Sequence, residues 1–294
     1  MGRELAAEFP AAREAFAEAD DLLGFALSKL AWEGPEEELT LTHNAQPAIL
    51  VHSIAVYRVV GQRVGPIAVT AGHSLGEFTA HVVAGTISFA DAVRTVRRRG
   101  ELMLRSGEER PGTMAAILGL DDEKVEEVCA QASRDDGVCV PANYNSPAQV
   151  VISGDVRAVE RAIELAKAAG AKRALPLSVS GAFHSPLMAP AVPGLEAQLS
   201  TVAFTDPKFP VISNVTAEPV RDAVSARRLL LDQITSPVRW TACVRTMRRM
   251  GVETFFELGP GNVLTGLLKR IDREARGRAI GTVEEVQSIL TADV

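Results

Sequence analysis

Gly72-His73-Ser74-Leu75-Gly76 sets one serine between two glycines, where an apolar run at residues 65–70, read as a strand, gives way to a helical pattern reaching about residue 84. G-x-S-x-G is the pattern of a nucleophile elbow. A serine on a tight strand-to-helix turn needs small neighbours two residues away. The helix starting just after it turns free N–H groups and a positive dipole end toward developing negative charge. The backbone N–H of Leu75 is then a donor to the oxyanion of a tetrahedral intermediate. The chemistry is acyl transfer through an acyl-serine, to water or to a thiol. The other reading of the same residues is a glycine-rich turn with a capping serine.

A serine hydroxyl needs a base within hydrogen-bond reach. Five histidines are available: His43, His52, His73, His81 and His184. His52 and His81 lie in helical patterns and read as packed or surface residues. His73 adjoins Ser74, so its side chain should point away from the serine's, and His43 has no functional reading. His184, in "SGAFHSPLMAP", lies on an irregular segment of small residues, where a loop can deliver a base across a cleft.

Composition narrows the classes. The 294 residues carry a net charge of −6, which argues against nucleic acid as a partner. Cys129, Cys139 and Cys243 have no paired spacing and no nearby histidine, so neither a disulfide framework nor a metal site is expected. The charged N-terminus lacks a signal-peptide core and no apolar run is long enough to span a bilayer, so the expected setting is cytoplasmic, with no membrane partner. Basic clusters at residues 94–100 and 269–278 read as solvated helix faces or as a surface for an acidic partner.

The elements that must position these residues follow from periodicity. Apolar residues at helical spacing predict helices over "AAREAFAEADDLLGFAL" and "QPAILVHSIAVYRVVGQRV", the second starting at Gln46-Pro47. "SFADAVRTVRRRGELML" predicts another, with Ser88 as N-cap and Asp91 in the first turn. After the polar joint "SGEERPGT" the order becomes β-α-β-β-α-β, the split arrangement of ferredoxin-like domains. The expected architecture is α/β: a discontinuous large domain at residues 1–111 and 180–294, with a small ferredoxin-like α+β domain inserted at 112–179. A cleft between two such domains is a common ligand site.

Taken in order, "GHSLGE" at 72–77, "RRRG" ending at Arg99-Gly100, "GAFHSPLM" at 181–188, "SPVRW" at 236–240 and "ELGPGNVLTGL" at 257–267 resemble the malonyl-CoA:acyl carrier protein transacylase family, across practically the whole chain. The resemblance implies an α/β-hydrolase-like large domain with a ferredoxin-like insert. It makes Ser74 the nucleophile, His184 the general base and acid, and Arg99 the group that binds the malonyl carboxylate. A guanidinium suits that task because it is always charged and presents a planar fork. Without the resemblance, Arg99 is not distinguished from Arg97 or Arg98. Phe183, Met103 and Asn145 are placed with Arg99 as substrate-binding residues, Phe183 filling the space that an extra methyl on the acyl group would need.

The resemblance implies no cofactor, coenzyme A thioester being a substrate. It implies acyl carrier protein as partner; such carriers are acidic, so the basic helix with Lys269, Arg270 and Arg273 is the expected docking surface, and the chain is expected to be a monomer. His184 is expected to be oriented by a main-chain carbonyl near Pro237-Val238-Arg239-Trp240. Arg239, where the family often has glutamine, is expected to point away from His184 or to pair with an acid. The family begins with a strand and a G-Q-G-x-Q loop that lends a second oxyanion donor, whereas this chain opens at "MGRELAAEFP". The expectation is a start placed at an internal methionine, against a chain that truly lacks one donor. Three other readings stand beside the family's: a serine hydrolase, which shares Ser74 and His184 without needing Arg99; a discrete acyltransferase of polyketide metabolism; and an inactive paralogue that only binds coenzyme A or carrier protein.

Overall fold

The computed structural model describes residues 1–133 and 137–292; the remaining positions of the predicted insert and C-terminal segment lie outside the described residues. The first hundred residues build a helical layer: α1 (Arg3–Glu8), α2 (Pro10–Leu23), α3 (Leu27–Glu33), α4 (Glu36–Leu39), α5 (Thr42–Val60), α6 (Leu75–Val83) and α7 (Phe89–Glu109). In α2, Ala12, Ala15, Phe16 and Ala19 recur at helical spacing and are buried, and the helix stops at Gly24, whose φ of 72° suits glycine. In α7, Ser88 caps the first turn by accepting from the Asp91 N–H at 3.0 Å, as its sequence predicts.

Helix α5 corrects one expectation. It begins at Thr42, not at Gln46-Pro47, and carries Pro47 inside. Proline cannot donate to the carbonyl four residues back. That carbonyl, on His43, accepts instead from Arg97 Nη1 at 3.2 Å, so the helix passes through the proline with the group satisfied. The strand expected at residues 65–70 also shrinks: only Thr70 pairs, in a parallel bridge to Val211. Its partner β5 (Val211–Ile212) is two residues long, too short to carry a ladder.

The six elements expected after residue 111 occur in the expected order: β1 (Gly112–Leu118), α8 (Asp122–Ala132), β2 (Cys139–Ser146), β3 (Gln149–Asp155), α9 (Val156–Ala168) and β4 (Arg173–Pro176). They form an antiparallel sheet of order β2-β3-β1-β4, with Met114 opposite Ser153 and Ala115 opposite Pro176. Ile117, Val125, Val150, Ile152 and Val159 bury a separate core between this sheet and its two helices. Cys129, Cys139 and Cys243 are free thiols.

A 3-10 helix at Pro186–Ala191 follows, then α10 (Val192–Ser200), β5, β6 (Pro219–Val220), α11 (Ala223–Asp232), α12 (Trp240–Arg249), β7 (Thr254–Leu258), α13 (Val263–Ile271), β8 (Arg276–Ile280) and α14 (Val283–Leu290). β7 and β8 pair in parallel, giving an α/β fold with mixed sheets. The basic stretch 269–278 is therefore not one helix, since α13 stops at Ile271 and Arg276 opens β8. Two backbone bonds stitch β2 to the segment before α12: Tyr144 N–H to the Val238 carbonyl at 2.9 Å, and Val238 N–H to the Ala142 carbonyl at 2.8 Å. No helix among the described residues is long and apolar enough to cross a membrane.

His81, on the inner face of α6, is fully buried, and neither ring nitrogen has a partner among the described residues. Burial pushes its pKa down to about 3. The folded protein keeps the ring neutral while the unfolded chain protonates near 6.5, so folding stability is lost as pH falls below that value. Replacing His81 with leucine removes two unpaired polar atoms, and is expected to stabilise the protein by about 1–3 kcal/mol at pH 7.5. The gain should widen by roughly 1.4 kcal/mol per pH unit below about 6.5. Urea unfolding at pH 7.5 and 5.5 checks this; a difference that stays constant with pH overturns it.

Candidate active site

Ser74 occupies the N-cap of α6 with φ 51° and ψ −107°, a conformation that L-residues rarely adopt. Neighbouring contacts hold it there. The Asn214 side chain accepts from the Ser74 N–H at 2.6 Å and donates to the Gly72 carbonyl at 2.8 Å, clamping both sides of the turn. Gly72 is required, because a Cβ there would lie 2.0 Å from the Gly76 backbone. Gly76 meets nothing within 4 Å at the same test, so only one of the two glycines answers a steric demand. The N–H groups of Gly76 and Glu77 are taken by the carbonyls of His73 and Ser74. The Leu75 N–H, at the positive end of α6, is the donor next to Ser74 that these turn bonds leave out.

His184 is brought to the serine from a loop after β4, with φ 56°. Its Nε2 lies 2.7 Å from Ser74 Oγ. Its Nδ1 faces two acceptors, the carbonyls of Gln233 at 3.0 Å and Ser236 at 3.2 Å, so Nδ1 carries the proton and Nε2 is free to accept one from the serine. These carbonyls lie just before Pro237-Val238-Arg239-Trp240 rather than within it. Burial, and after it the positive charge of Arg99, push the His184 pKa down to about 3, against the opposing pull of the two carbonyls. The imidazole is neutral at neutral pH. The Arg239 guanidinium lies over the Tyr144 ring, 5.8 Å from its centroid.

Arg99 is only 1% exposed. Its neighbours on α7 turn elsewhere: Arg97 binds Glu101 at 2.7 Å and Asn44 at 2.6 Å, and Arg98 reaches Glu101 at 3.5 Å on the surface. Arg99 Nη1 donates to Gln46 Oε1 at 2.7 Å, while Nη2 donates to Gln233 Oε1 at 2.9 Å and to Ser74 Oγ at 3.1 Å. Every acceptor is uncharged, and no carboxylate among the described residues lies within ion-pair distance of it. Burial lowers its pKa to about 10, Glu77 pulling the other way, so it remains a cation at neutral pH.

Four residues that the sequence does not single out complete the site. Gln46 and Gln233 bracket the guanidinium, Asn214 holds the turn, and Glu77 lies buried behind them. Glu77 Oε2 accepts from Gln233 Nε2 at 2.6 Å and from the Asn214 N–H at 3.2 Å, and burial raises its pKa to about 7. Gln46 had a signal: it is an amide in an otherwise apolar helical run, and such a residue is buried only with partners.

The remaining predicted residues are less direct. Phe183, next to His184, is half-buried against the main core and the small cluster of Met114, Ala142 and Val151. Met103 is buried in the main core, where its sulfur receives the Gln46 amide at 3.4 Å, so it backs the Arg99 bracket. Asn145, on β2, faces His73, its Oδ1 2.8 Å from His73 Nε2. Lys269 and Arg270, in the last turn of α13, and Arg273, two residues beyond it, are exposed, with Arg270 hydrogen-bonded to Gln149 at 2.6 Å. No group of three or more His, Cys, Asp or Glu among the described residues is placed to hold a metal ion.

Comparison with known proteins follows the same geometry. The family described as acyl transferase domain matches residues 1–288. A malonyl CoA-acyl carrier protein transacylase of Bacillus subtilis (strain 168) is 46% identical over 287 residues, covering 98% of this chain and 90% of that protein. The crystal structure of an acyl carrier protein S-malonyltransferase from Vibrio cholerae O1 biovar eltor is similar at a TM-score of 0.94 and 45% identity, covering 98% of this chain and 94% of the other. A malonyl-transacylase in complex with its type II PKS acyl-carrier protein is similar at a TM-score of 0.95 and 44% identity, covering 99% and 94%.

Proposed function

This chain belongs to the acyl transferase family that includes the malonyl CoA-acyl carrier protein transacylases, and from that premise we propose how its own residues carry the reaction. It is an acyltransferase that moves a malonyl group from malonyl-CoA to acyl carrier protein, for fatty acid or polyketide synthesis. Ser74 is the nucleophile. Its Oγ attacks the thioester carbonyl while His184 Nε2 takes the hydroxyl proton, and the Leu75 N–H receives the negative charge that gathers on the carbonyl oxygen. The intermediate collapses, the C–S bond breaks, and His184 returns the proton to the departing thiol. In the second half the carrier protein's phosphopantetheine thiol gives its proton to His184 and attacks the malonyl-serine ester; the bond from the acyl carbon to Ser74 Oγ breaks, Ser74 Oγ takes the proton back from His184, and the carrier protein leaves with the acyl group as its thioester. Arg99 holds the free carboxylate through both halves. No cofactor enters these steps.

The observation that carries this reading is one juxtaposition: Ser74 Oγ lies 2.7 Å from His184 Nε2 and 3.1 Å from Arg99 Nη2. A cation in contact with the nucleophile serves a substrate with a free carboxylate next to its reacting carbonyl. The strand order β2-β3-β1-β4 supports a ferredoxin-like insert, seated on an α/β-hydrolase-like large domain. Lys269, Arg270 and Arg273 form the docking surface for an acidic carrier protein.

Intact-mass measurement after mixing with malonyl-CoA tests the assignment. A malonyl adduct should accumulate and persist, then discharge when carrier protein is added. Rapid release of free malonate would make the protein a hydrolase, and binding without an adduct would make it an inactive paralogue. Discharge to carrier protein should slow with salt far more than discharge to free pantetheine; equal sensitivity removes the docking surface from the proposal.

A further inference from the structure

The Gln233 side chain touches the nucleophile's backbone, the buried cation and a buried carboxylate together. Its Nε2 has two hydrogens and two acceptors, the Ser74 carbonyl at 3.0 Å and Glu77 Oε2 at 2.6 Å. Its Oε1 is thereby left to face Arg99 Nη2 at 2.9 Å. Flipping the amide would set NH2 against a guanidinium and oxygen against a carboxylate, two repulsive contacts between fully buried groups. The amide's orientation thus depends on an acceptor standing where Glu77 stands.

We infer that Glu77 is a positioning residue for acyl selection: its carboxyl group fixes the Gln233 amide, and through it the attitude of the Arg99 fork toward the free carboxylate of the incoming acyl group. This rests on the function proposed above. Glu77 touches neither substrate nor Ser74 Oγ. It acts at two removes, and the same oxygen also accepts from the Asn214 N–H at 3.2 Å. Its second oxygen, Oε1, is buried without a hydrogen-bond partner, so the residue works as an acceptor at one oxygen.

That asymmetry provides the test. Glu77→Gln keeps the reach and one carbonyl oxygen for Gln233, loses the charge, and sets an NH2 where Oε1 has no hydrogen-bond partner. Glu77→Asp keeps the charge but draws the oxygen back by one methylene. Both are conservative enough to be compared as folded proteins. The readout is the ratio of kcat/KM for malonyl-CoA to that for acetyl-CoA, which has no free carboxylate, taken from single-turnover acylation. Glu77→Asp is expected to lower the ratio about 10-fold or more, mainly through KM, since a small misplacement of a binding group is costly. Glu77→Gln, which keeps an acceptor within reach of Gln233, should lower the ratio less than Glu77→Asp does. A ratio unchanged in Glu77→Asp, a larger fall in Glu77→Gln than in Glu77→Asp, or a proportional fall with both substrates overturns the inference. An unmutated protein with no preference for malonyl overturns the function itself, and is distinguished because no variant is needed to see it.

Discussion

Ser74→Ala is expected to abolish the malonyl adduct and to cut malonyl transfer by at least ~10⁴-fold, the loss seen when a nucleophile is removed from a concerted site. The substitution is clean for a structural reason. The turn is held by the backbone of Ser74, whose N–H meets Asn214 and whose carbonyl meets Gln233, and not by its side chain. Alanine keeps those bonds and tolerates the same φ of 51° about as well as serine does. Only the contacts of Oγ with His184 and Arg99 are lost. Thermal stability should therefore change little while chemistry disappears. Intact mass and thiol release after mixing with malonyl-CoA give the answer. An adduct that still accumulates in Ser74→Ala places the nucleophile elsewhere and removes the mechanism.

The residues legible in the sequence are those whose local pattern carries chemistry. The G-x-S-x-G turn and a histidine on an irregular loop can be read by rule, and the alternation of strands and helices in residues 112–176 follows from periodicity. Arg99 was separable from Arg97 and Arg98 only by resemblance, because a row of three arginines has no internal sign of which one turns inward. Asn214 and Gln233 escape a reading by pattern for a different reason. Their amides matter only through partners far away in the chain, such as Ser74 for Gln233, and no local spacing encodes such a meeting. Pro47 misled for the same reason: the group that accommodates it inside α5 is Arg97, on another helix. The short bridge at Thr70 shows the limit for strands, since an apolar run becomes a strand only as far as its partner extends.

Arg99→Ala is expected to have the second largest effect, and its sign depends on the substrate. A buried guanidinium that contacts only neutral oxygens is an electrostatic vacancy for one anion. At about 4 Å and an effective dielectric near 20, a carboxylate entering it gains about 4 kcal/mol, so acylation by malonyl-CoA should fall by roughly a thousandfold in the variant. Acetyl-CoA brings no charge and should lose far less, reversing the order of preference. The variant should also raise the pKa of His184, because the cation is the second cause of its depression after burial. The sign follows directly: a depressed histidine pKa means the cationic form is disfavoured, and deleting a neighbouring positive charge lifts that penalty. Titration of the His184 ring by NMR in the two proteins measures it. The malonyl carboxylate should act on His184 as the deletion does, neutralising Arg99 as it binds and leaving the imidazole a stronger base at the moment the thioester is in place. A hydrolase without use for a carboxylate has no such coupling. Equal losses with malonyl-CoA and acetyl-CoA, or an unmoved His184 titration, would show that Arg99 is a structural cation and not the acyl-binding group.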